Sequence, residues 1–202
     1  QLFLYKNNTL INIKNNNNRM QELKFIRFME FFLVNPYKEV YIRELAKKLK
    51  ISPFATKKYA DILVKEGLII EEKKANLRYL KANVKNLFYK HTKIAYNMRK
   101  LLKSGLIDFL KNNLVNVTSI TLFGSLAKGE DSDESDIDIL IIGKQKHLSL
   151  KGFENKLDKE VTLHFFSWSE WNEKAKEDHP FYYEIINHGL PLYGELPLTK
   201  WK

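Results

Sequence analysis

The feature that most constrains the fold is the stretch of residues 117–142, in which two β-rich runs enclose a polar segment. The first run, 117–123, stops at Gly124-Ser125, and the second, 136–142, follows an acidic loop. Both runs are rich in β-branched and aromatic residues, which favour strands. A later run of the same kind, at 161–166, and helical patterns between the runs predict a small α/β domain with a mixed sheet.

The polar segment between the two predicted strands carries residues suited to phosphate and metal chemistry. Gly124 lets the backbone approach a phosphate closely, and Ser125 adds a hydroxyl donor at the start of a helix. Strand alternation places Asp136 and Asp138 on one face. Two neighbouring carboxylates repel each other unless a cation lies between them, and Mg²⁺ prefers such oxygen ligands.

The spacing of these residues resembles a known signature. Gly124-Ser125 is followed by ten residues and then by Asp136-x-Asp138. This pattern is similar to that of the DNA polymerase β-type nucleotidyltransferases, most closely the minimal, kanamycin-nucleotidyltransferase-like ones, over about residues 110–195. An acidic surface loop beside an apolar strand is the alternative interpretation.

The resemblance implies a role for each motif residue. Gly124 and Ser125 would hold the triphosphate of ATP or another nucleoside triphosphate. Asp136 and Asp138 would be catalytic and would bind Mg²⁺. The implied reaction transfers a nucleoside monophosphate to an acceptor hydroxyl and releases pyrophosphate.

The resemblance also implies a third carboxylate on a later strand, which this chain lacks at the expected place. The corresponding run contains Thr162 there. Glu160 and His164 lie on the same strand face by alternation and could substitute, with Glu160 taken as the catalytic candidate. The alternative is that Glu160 is an exposed strand-edge residue and His164 a half-buried one.

The N-terminal half predicts a different domain. Apolar residues at helical spacing occur at 25–32 and again at 42–49, and Ser52-Pro53 is typical of a helix start. The third helix is predicted to bury one face and to end near Gly67. Two short strands follow. The order resembles a winged helix-turn-helix over about residues 21–82. The residues predicted to be buried in the third helix are Ala55, Tyr59, Ile62 and Leu63.

The charge is distributed unevenly along the chain. The net charge is +10, and it divides into +15 over residues 1–115 and −5 over residues 116–202. A basic half favours a polyanionic partner, so we expect the winged helix to bind double-stranded DNA. A protein-contact role, or a general compositional bias towards lysine, is the alternative. The expected DNA-binding residues are Thr56, Lys57, Lys58, Lys73, Lys74 and Arg78.

Four segments are predicted in total, in an α+β chain. They are a polar tail at 1–19, the winged helix at 20–82, linking helices at 83–115 and the nucleotidyltransferase domain at 116–196. In the linking helices an apolar stripe that includes His91 is expected to pack against a neighbouring domain, and a homodimer seam is the alternative.

Composition excludes several classes of protein. The chain has no cysteine, which removes disulfides, zinc–thiolate sites and thiol catalysis. No apolar run approaches the roughly 20 residues that cross a bilayer, and the N-terminus does not resemble a signal peptide. A cytoplasmic protein without a membrane partner is expected. A second functional hypothesis is a DNA-binding regulator whose nucleotidyltransferase fold senses nucleotide or, antitoxin-like, binds a HEPN-type partner.

Overall fold

The computed structural model describes residues 16–199, which form two compact units that meet in sequence between Ala82 and Asn83. The predicted tail therefore lies largely outside the described residues. Among residues 16–199, no helix combines the length and the hydropathy needed to cross a membrane. The finer predicted limits, 20–82 for the winged helix and 116–196 for the nucleotidyltransferase domain, stay predictions.

Unit 1 confirms the predicted winged helix-turn-helix order. Its strands form an antiparallel sheet in the order β1-β3-β2. The helices pack around a core in which Phe28, Leu45, Leu63 and Leu80 are fully or almost fully buried. The elements are α1 (Asn16–Val34), β1 (Val40–Tyr41), α2 (Ile42–Leu49), α3 (Pro53–Lys65), β2 (Ile69–Lys74) and β3 (Leu77–Ala82).

Both ends of α3 form as the sequence predicts. The Ser52 side chain accepts a hydrogen bond from the Ala55 N–H, and Pro53 occupies the first helical position. At the other end Gly67 has φ +70°, and the Leu68 N–H donates to the Leu63 carbonyl at 2.9 Å. A left-handed residue that closes the last turn in this way favours glycine.

Three details of unit 1 differ from the prediction. Helix α1 begins at Asn16, so residues 16–19 are helical although they were predicted as tail. The buried face of α3 contains Thr56 and Ala60, whereas Ile62 is exposed and Ala55 only half-buried. The hairpin turn consists of residues 75–76 alone, because the two preceding lysines belong to β2.

Unit 2 has the predicted mixed sheet. Its strand order is β6-β5-β4-β7; the β5–β6 pair is parallel and the other two pairs are antiparallel. The elements are α4 (Leu87–Ser104), α5 (Leu106–Asn113), β4 (Ser119–Phe123), α6 (Gly124–Lys128), β5 (Ile137–Ile142), α7 (Lys151–Leu157), β6 (Val161–Phe166), α8 (Trp168–Glu177), α9 (His179–His188) and β7 (Leu190–Gly194).

The two faces of this sheet belong to two different cores. On one face Ile137, Ile139 and Ile141 pack with residues of α5 and α7. On the other face Leu140 and Ile142 pack with residues of α8 and α9. Strand β5 is therefore apolar on both sides along most of its length, which is typical of a central strand.

Helix α4 buries a face that overlaps the predicted apolar stripe only at its C-terminal end, where Leu101 lies in the core and Met98 packs against it. Its buried residues are Tyr89, Lys93, Asn97 and Leu101, each four positions from the next, whereas His91 is exposed. The prediction followed apolar residues, and two of the buried positions are polar. Helices α4 and α5 belong to the second compact unit, and α5 contributes directly to its core, so the segment 83–115 is more than a link.

Helix α8 was not predicted, although the sequence contains a signal for it. The Ser167 side chain accepts from the Glu170 N–H, and the Glu170 carboxylate accepts from the Ser167 N–H at 2.7 Å. This reciprocal capping box corresponds to the pattern Ser-x-x-Glu. Trp171, in the first turn of the helix, is fully buried.

Two glycines that end helices provide a matched test of the packing of α4 on α6. Gly105 and Gly129 have φ +82° and +67°, but a Cβ on Gly105 would meet no atom within 4 Å, whereas one on Gly129 would lie 2.6 Å from the Lys90 carbonyl oxygen. We expect Gly105→Ala to lower the free energy of unfolding by about 1 kcal/mol. Gly129→Ala should lower it by about 2–4 kcal/mol, because strain is added to the same backbone cost. Urea denaturation of both variants measures the difference, and equal losses would contradict the close packing.

Candidate functional site

The candidate site lies where β4 ends beside the start of β5. Phe123, the last residue of β4, pairs with Asp138 in the antiparallel register. Gly124 follows at once with φ +71°, and a Cβ there would lie 2.7 Å from Asp138 Oδ2. Only glycine allows this approach without displacing the carboxylate. The structure thus brings together the two halves of the motif that the sequence singled out.

Asp136 and Asp138 flank a residue of the apolar core. Ile137 and Ile139 are buried in the core of the opposite face, so the two carboxylates lie on the face that also carries His164. Asp138 is half-buried and Asp136, just before β5, is exposed. This confirms the predicted alternation and leaves both carboxylates accessible to a ligand.

Strand β6 places three candidate residues beside them. In the parallel register Asp138 is the partner of Thr162, which is exposed. The Glu160 carbonyl accepts the Ile137 N–H at 2.9 Å, and its side chain is exposed beside the start of β5. His164 Nε2 lies 3.4 Å from Asp138 Oδ1. The residue beside Asp138 is therefore Thr162, which carries a hydroxyl. Glu160, just before β6, lies two positions ahead of it in sequence, and His164 lies two positions after it.

The imidazole of His164 is held by aromatic rings. The ring of Phe123 lies edge-on at 5.1 Å between centroids, and the ring of Phe181 lies at 6.3 Å. Strand alternation predicted the face on which His164 lies, but it did not predict these ring contacts.

The acidic residues fit a magnesium ion that also binds phosphate. Within residues 16–199 there is no group of three or more His, Asp or Glu residues arranged to hold a metal ion by themselves. Mg²⁺ is commonly held by one or two carboxylates and completes its shell with water and substrate phosphates. Asp136 and Asp138 supply that number of carboxylates, and Asp138 lies next to Gly124.

A buried polar cluster, which the sequence did not predict, underlies the loop between α6 and β5. Asp131 in this loop is 4% exposed, and Lys93 of α4 is 1% exposed. Lys93 Nζ lies 3.3 Å from Asp131 Oδ2, and the Asn97 amide donates to Asp131 Oδ1 at 2.7 Å. Lys159, between α7 and β6, lies 3.9 Å from the same carboxylate. We call Lys93, Asn97, Asp131 and Lys159 the Asp131 cluster.

Burial changes the proton affinity of both lysines in this cluster. Desolvation lowers the pKa of Lys93 and also the pKa of Lys159. The Asp131 carboxylate offsets part of each shift. No sequence pattern indicates a buried lysine, because lysine is rarely buried unless it is paired. The pairing partner lies 38 residues away for Lys93.

Two of the residues predicted to bind DNA are not available to do so. Thr56 is fully buried, and its hydroxyl donates to the Ser52 carbonyl at 3.0 Å. The Arg78 guanidinium is 21% exposed and pairs with Asp61 at 2.8 Å and with Glu71. The hydrogen bond to Glu71 raises the pKa of Arg78 despite partial burial. Both residues therefore stabilise unit 1 internally.

The four other residues predicted to bind DNA are all exposed, but one of them also pairs with carboxylates. Lys57 and Lys58 of α3 and Lys73 of β2 are exposed. Lys74 is exposed but lies 2.7 Å from a Glu39 oxygen and 3.6 Å from a Glu72 oxygen. A groove on this unit contains both signs of charge, and its charged lining residues are Arg43, Lys57, Asp61, Glu71, Lys73 and Arg78.

Comparison with protein families assigns the second unit. Residues 104–196 match the family described as polymerase beta, nucleotidyltransferase. This segment is therefore a nucleotidyltransferase domain of the polymerase β type, as its motif predicted. The match supports nucleotidyl transfer as the general chemistry of unit 2. No curated protein matches the sequence of this chain.

Solved structures show only distant likeness. HlyU from Vibrio cholerae N16961 is 16% identical, with 42% of this chain and 96% of that chain covered and a TM-score of 0.30. A toxin–antitoxin structure with AMP-PNP is 22% identical, with 48% and 73% covered and a TM-score of 0.33. TrmBL2, an archaeal chromatin protein, is 14% identical, with 86% and 76% covered and a TM-score of 0.27. Likeness at this level carries no argument about function.

Proposed function

We propose that the chain is a Mg²⁺-dependent nucleotidyltransferase that transfers a nucleoside monophosphate from ATP or another nucleoside triphosphate to an acceptor hydroxyl. The observation that carries this proposal is the approach of Gly124 to Asp138. In that approach the backbone predicted to hold phosphate lies against Asp138, one of the two carboxylates predicted to hold the metal. The family match of residues 104–196 supports the same reaction class.

Each motif residue has a defined task in this reaction. Gly124 and Ser125 bind the triphosphate, and Asp136 and Asp138 hold Mg²⁺. When bound, Mg²⁺ supplies neutralisation of phosphate charge and a fixed orientation for the attacking and leaving oxygens. A bond forms between the acceptor oxygen and the α-phosphorus, the bond from that phosphorus to the bridging oxygen breaks, and pyrophosphate leaves.

Two side chains are candidates to receive the acceptor proton, one on β6 and one directly before it. His164 lies against Asp138, and Glu160 is exposed one position before the strand. Thr162, between them, cannot act as a base at neutral pH. We propose Glu160 as the catalytic base, because its carboxylate is not held by neighbouring rings as His164 is.

The role of the two aspartates is tested by binding. We expect wild-type protein to bind ATP more tightly when Mg²⁺ is present, since the ion offsets repulsion between phosphates and carboxylates. Asp136→Asn with Asp138→Asn should remove this magnesium effect and leave the fold intact. Isothermal titration calorimetry with and without Mg²⁺ measures the affinities.

The matched control neutralises two exposed acids of the same loop. Asp133→Asn with Glu134→Gln makes the same change in net charge, next to the site. We expect this variant to keep the magnesium effect. An Asp136/Asp138 double variant that binds Mg·ATP as tightly as wild type would refute the metal site.

The catalytic base is tested by turnover. We expect Glu160→Gln to lower the rate of nucleotide transfer at least tenfold, within the range of about 10²–10⁴ typical of general acid–base groups. His164→Gln should lower it less. Release of pyrophosphate, measured with cell extract as the source of acceptor, gives the rate. Wild-type turnover in both variants would show that neither residue is the base.

Thr162 provides the complementary experiment. Because its partner in the register is Asp138, Thr162→Asp places a third carboxylate beside the first two. An increase in turnover would show that the native site is limited by the missing acid. The presence of Thr162 beside Asp138, where a third carboxylate was expected, favours the second candidate function. In that function a catalytically weak domain of a DNA-binding regulator senses nucleotide or binds a HEPN-type partner. ATP binding without transfer in wild type would support that second function.

We further propose that unit 1 binds double-stranded DNA through the exposed lysines of α3 and β2. Residues 1–82 contain 17 Lys and Arg against 8 Asp and Glu, and this net charge of +9 supports a polyanionic partner. Lys57, Lys58 and Lys73 are exposed, and lysines that contact phosphates provide affinity without a choice of sequence. Thr56 is buried, and Arg78 and Lys74 pair with carboxylates of the same unit, so the proposed interface consists of the three other lysines.

The DNA proposal predicts a specific salt dependence. If each of the three lysines neutralises one phosphate, log affinity should fall with log salt concentration with a slope of about −3. Lys57→Glu with Lys58→Glu should weaken binding to any duplex and reduce the slope to about −1. Fluorescence anisotropy with a short duplex at several salt concentrations measures both values.

The control for net charge lies in unit 2. Lys103→Glu with Lys144→Glu changes two exposed lysines and produces the same total charge. We expect this variant to keep the wild-type slope. Absence of binding by wild-type protein at low salt would assign unit 1 to protein contacts instead.

A further inference from the structure

Four segments of unit 2 meet at one buried carboxylate. Asp131 contacts Lys93 and Asn97 of α4. It also lies 3.9 Å from Lys159, two residues before the start of β6. The Asn97 amide also donates to the Leu126 carbonyl of α6 at 3.3 Å. The Asp131 cluster therefore links α4, α6, the loop of residues 130–136 and the start of β6.

Three of these four segments carry a residue of the candidate site, and α4 carries none. Helix α6 begins with Gly124 and Ser125, the loop ends at Asp136, and Glu160 comes directly after Lys159. The cluster itself does not contain any of the residues assigned to nucleotide or metal. Its contacts connect the segments that carry them.

Lys159 holds the loop most directly. Its ammonium group donates to the Ser132 carbonyl and, at 2.9 Å, to the Ser135 carbonyl. Ser135 is the residue before Asp136, and the Ile137 N–H after it is bonded to the Glu160 carbonyl. The backbone of Asp136 is thus restrained on both sides by residues at the start of β6.

Charge explains why lysines are used here. The loop has five acidic residues within positions 130–136, and they repel one another when the loop is folded. The buried ammonium group of Lys93 and the half-buried one of Lys159 offset this repulsion. Stability alone gives no reason for burying them, because a well-packed apolar replacement of a buried ion pair is often as stable or more so.

We propose that Lys93, Asn97 and Lys159 are positioning residues that, through Asp131 and the loop carbonyls, hold Asp136 in place for the metal before nucleotide or metal binds. This inference rests on the proposed role of Asp136 and Asp138 in metal binding. Residues that orient metal ligands in this way typically change metal affinity about 10–100-fold when removed.

Lys159→Met is the primary test, with Lys151→Met as its control. Lys151 is an exposed lysine at the start of α7, so the control removes one charge without touching the loop. Amide hydrogen exchange, followed by NMR at Ser135 and Ile137, measures the restraint of the loop without nucleotide. Calorimetry measures the effect of Mg²⁺ on ATP affinity.

We expect exchange at Ser135 and Ile137 to become at least about tenfold faster in Lys159→Met, with β4 and the rest of β5 unchanged. The magnesium effect on ATP affinity should fall about tenfold or more. Lys159→Arg should restore both readouts, because a guanidinium group can also donate to two carbonyls.

Three results would overturn the proposal. The first is amide exchange in Lys159→Met at the same rate as in Lys151→Met. The second is an equal acceleration of amide exchange across β4 and β5, which indicates a merely structural role. The third is faster exchange in the loop while the full magnesium effect on ATP affinity is retained. If wild-type protein shows no magnesium effect, the proposed function fails, and the exchange rates still decide whether Lys159 restrains the loop.

A second variant covers the case in which Lys159→Met does not fold. Lys93→Met with Asp131→Asn removes one buried charge of each sign, which is tolerated better than leaving one charge unpaired. The Asn97 amide retains an oxygen acceptor at position 131. We expect this variant to unfold cooperatively and to exchange faster at Ser135 and Ile137. Wild-type exchange rates there would overturn the proposal.

Discussion

The antiparallel pairing of β4 with β5 is the constraint on which the candidate site depends. It sets Phe123 opposite Asp138, so that the chain must turn away from the sheet at Gly124 in contact with the Asp138 carboxylate. Any side chain at position 124 would displace that carboxylate. The backbone proposed to bind phosphate and the carboxylate of Asp138, proposed to bind metal, therefore meet because two central strands pair in one register. Both strands are fixed by apolar packing on two faces.

Electrostatics then decides how the connection between these strands is held. Ten residues separate Ser125 from Asp136, and the acidic loop within them has little apolar material to bury. Its one buried side chain is Asp131, which is satisfied by an amide and by two ammonium groups from distant parts of unit 2. These charged contacts connect the loop to α4 and to the residue before Glu160. A loop with so little apolar surface could not be held there by hydrophobic packing.

In unit 1 the positive charge divides into two functional classes. Arg78 and Lys74 pair with carboxylates of the same unit, so their charges are used to stabilise the wing and its contact with α3. Lys57, Lys58 and Lys73 are exposed and contribute to the field outside the molecule. Net charge alone cannot separate these classes, because it counts both equally. The expected footprint on a polyanion is correspondingly smaller than the number of basic residues suggests.

The sequence by itself determined whatever depends on local pattern. Periodicity, the Ser52-Pro53 start signal and the glycine at position 67 predicted α3 and its ends, and strand alternation placed Asp136 and Asp138 on one face. The tertiary structure decided which polar residues are buried, because that depends on partners far away in the chain. Lys93 is buried only because Asp131 reaches it, and Arg78 is unavailable only because Asp61 and Glu71 face it. A hydrophobic pattern treats every lysine as exposed, and pairing between distant charges, which leaves no local pattern, makes some of them core residues.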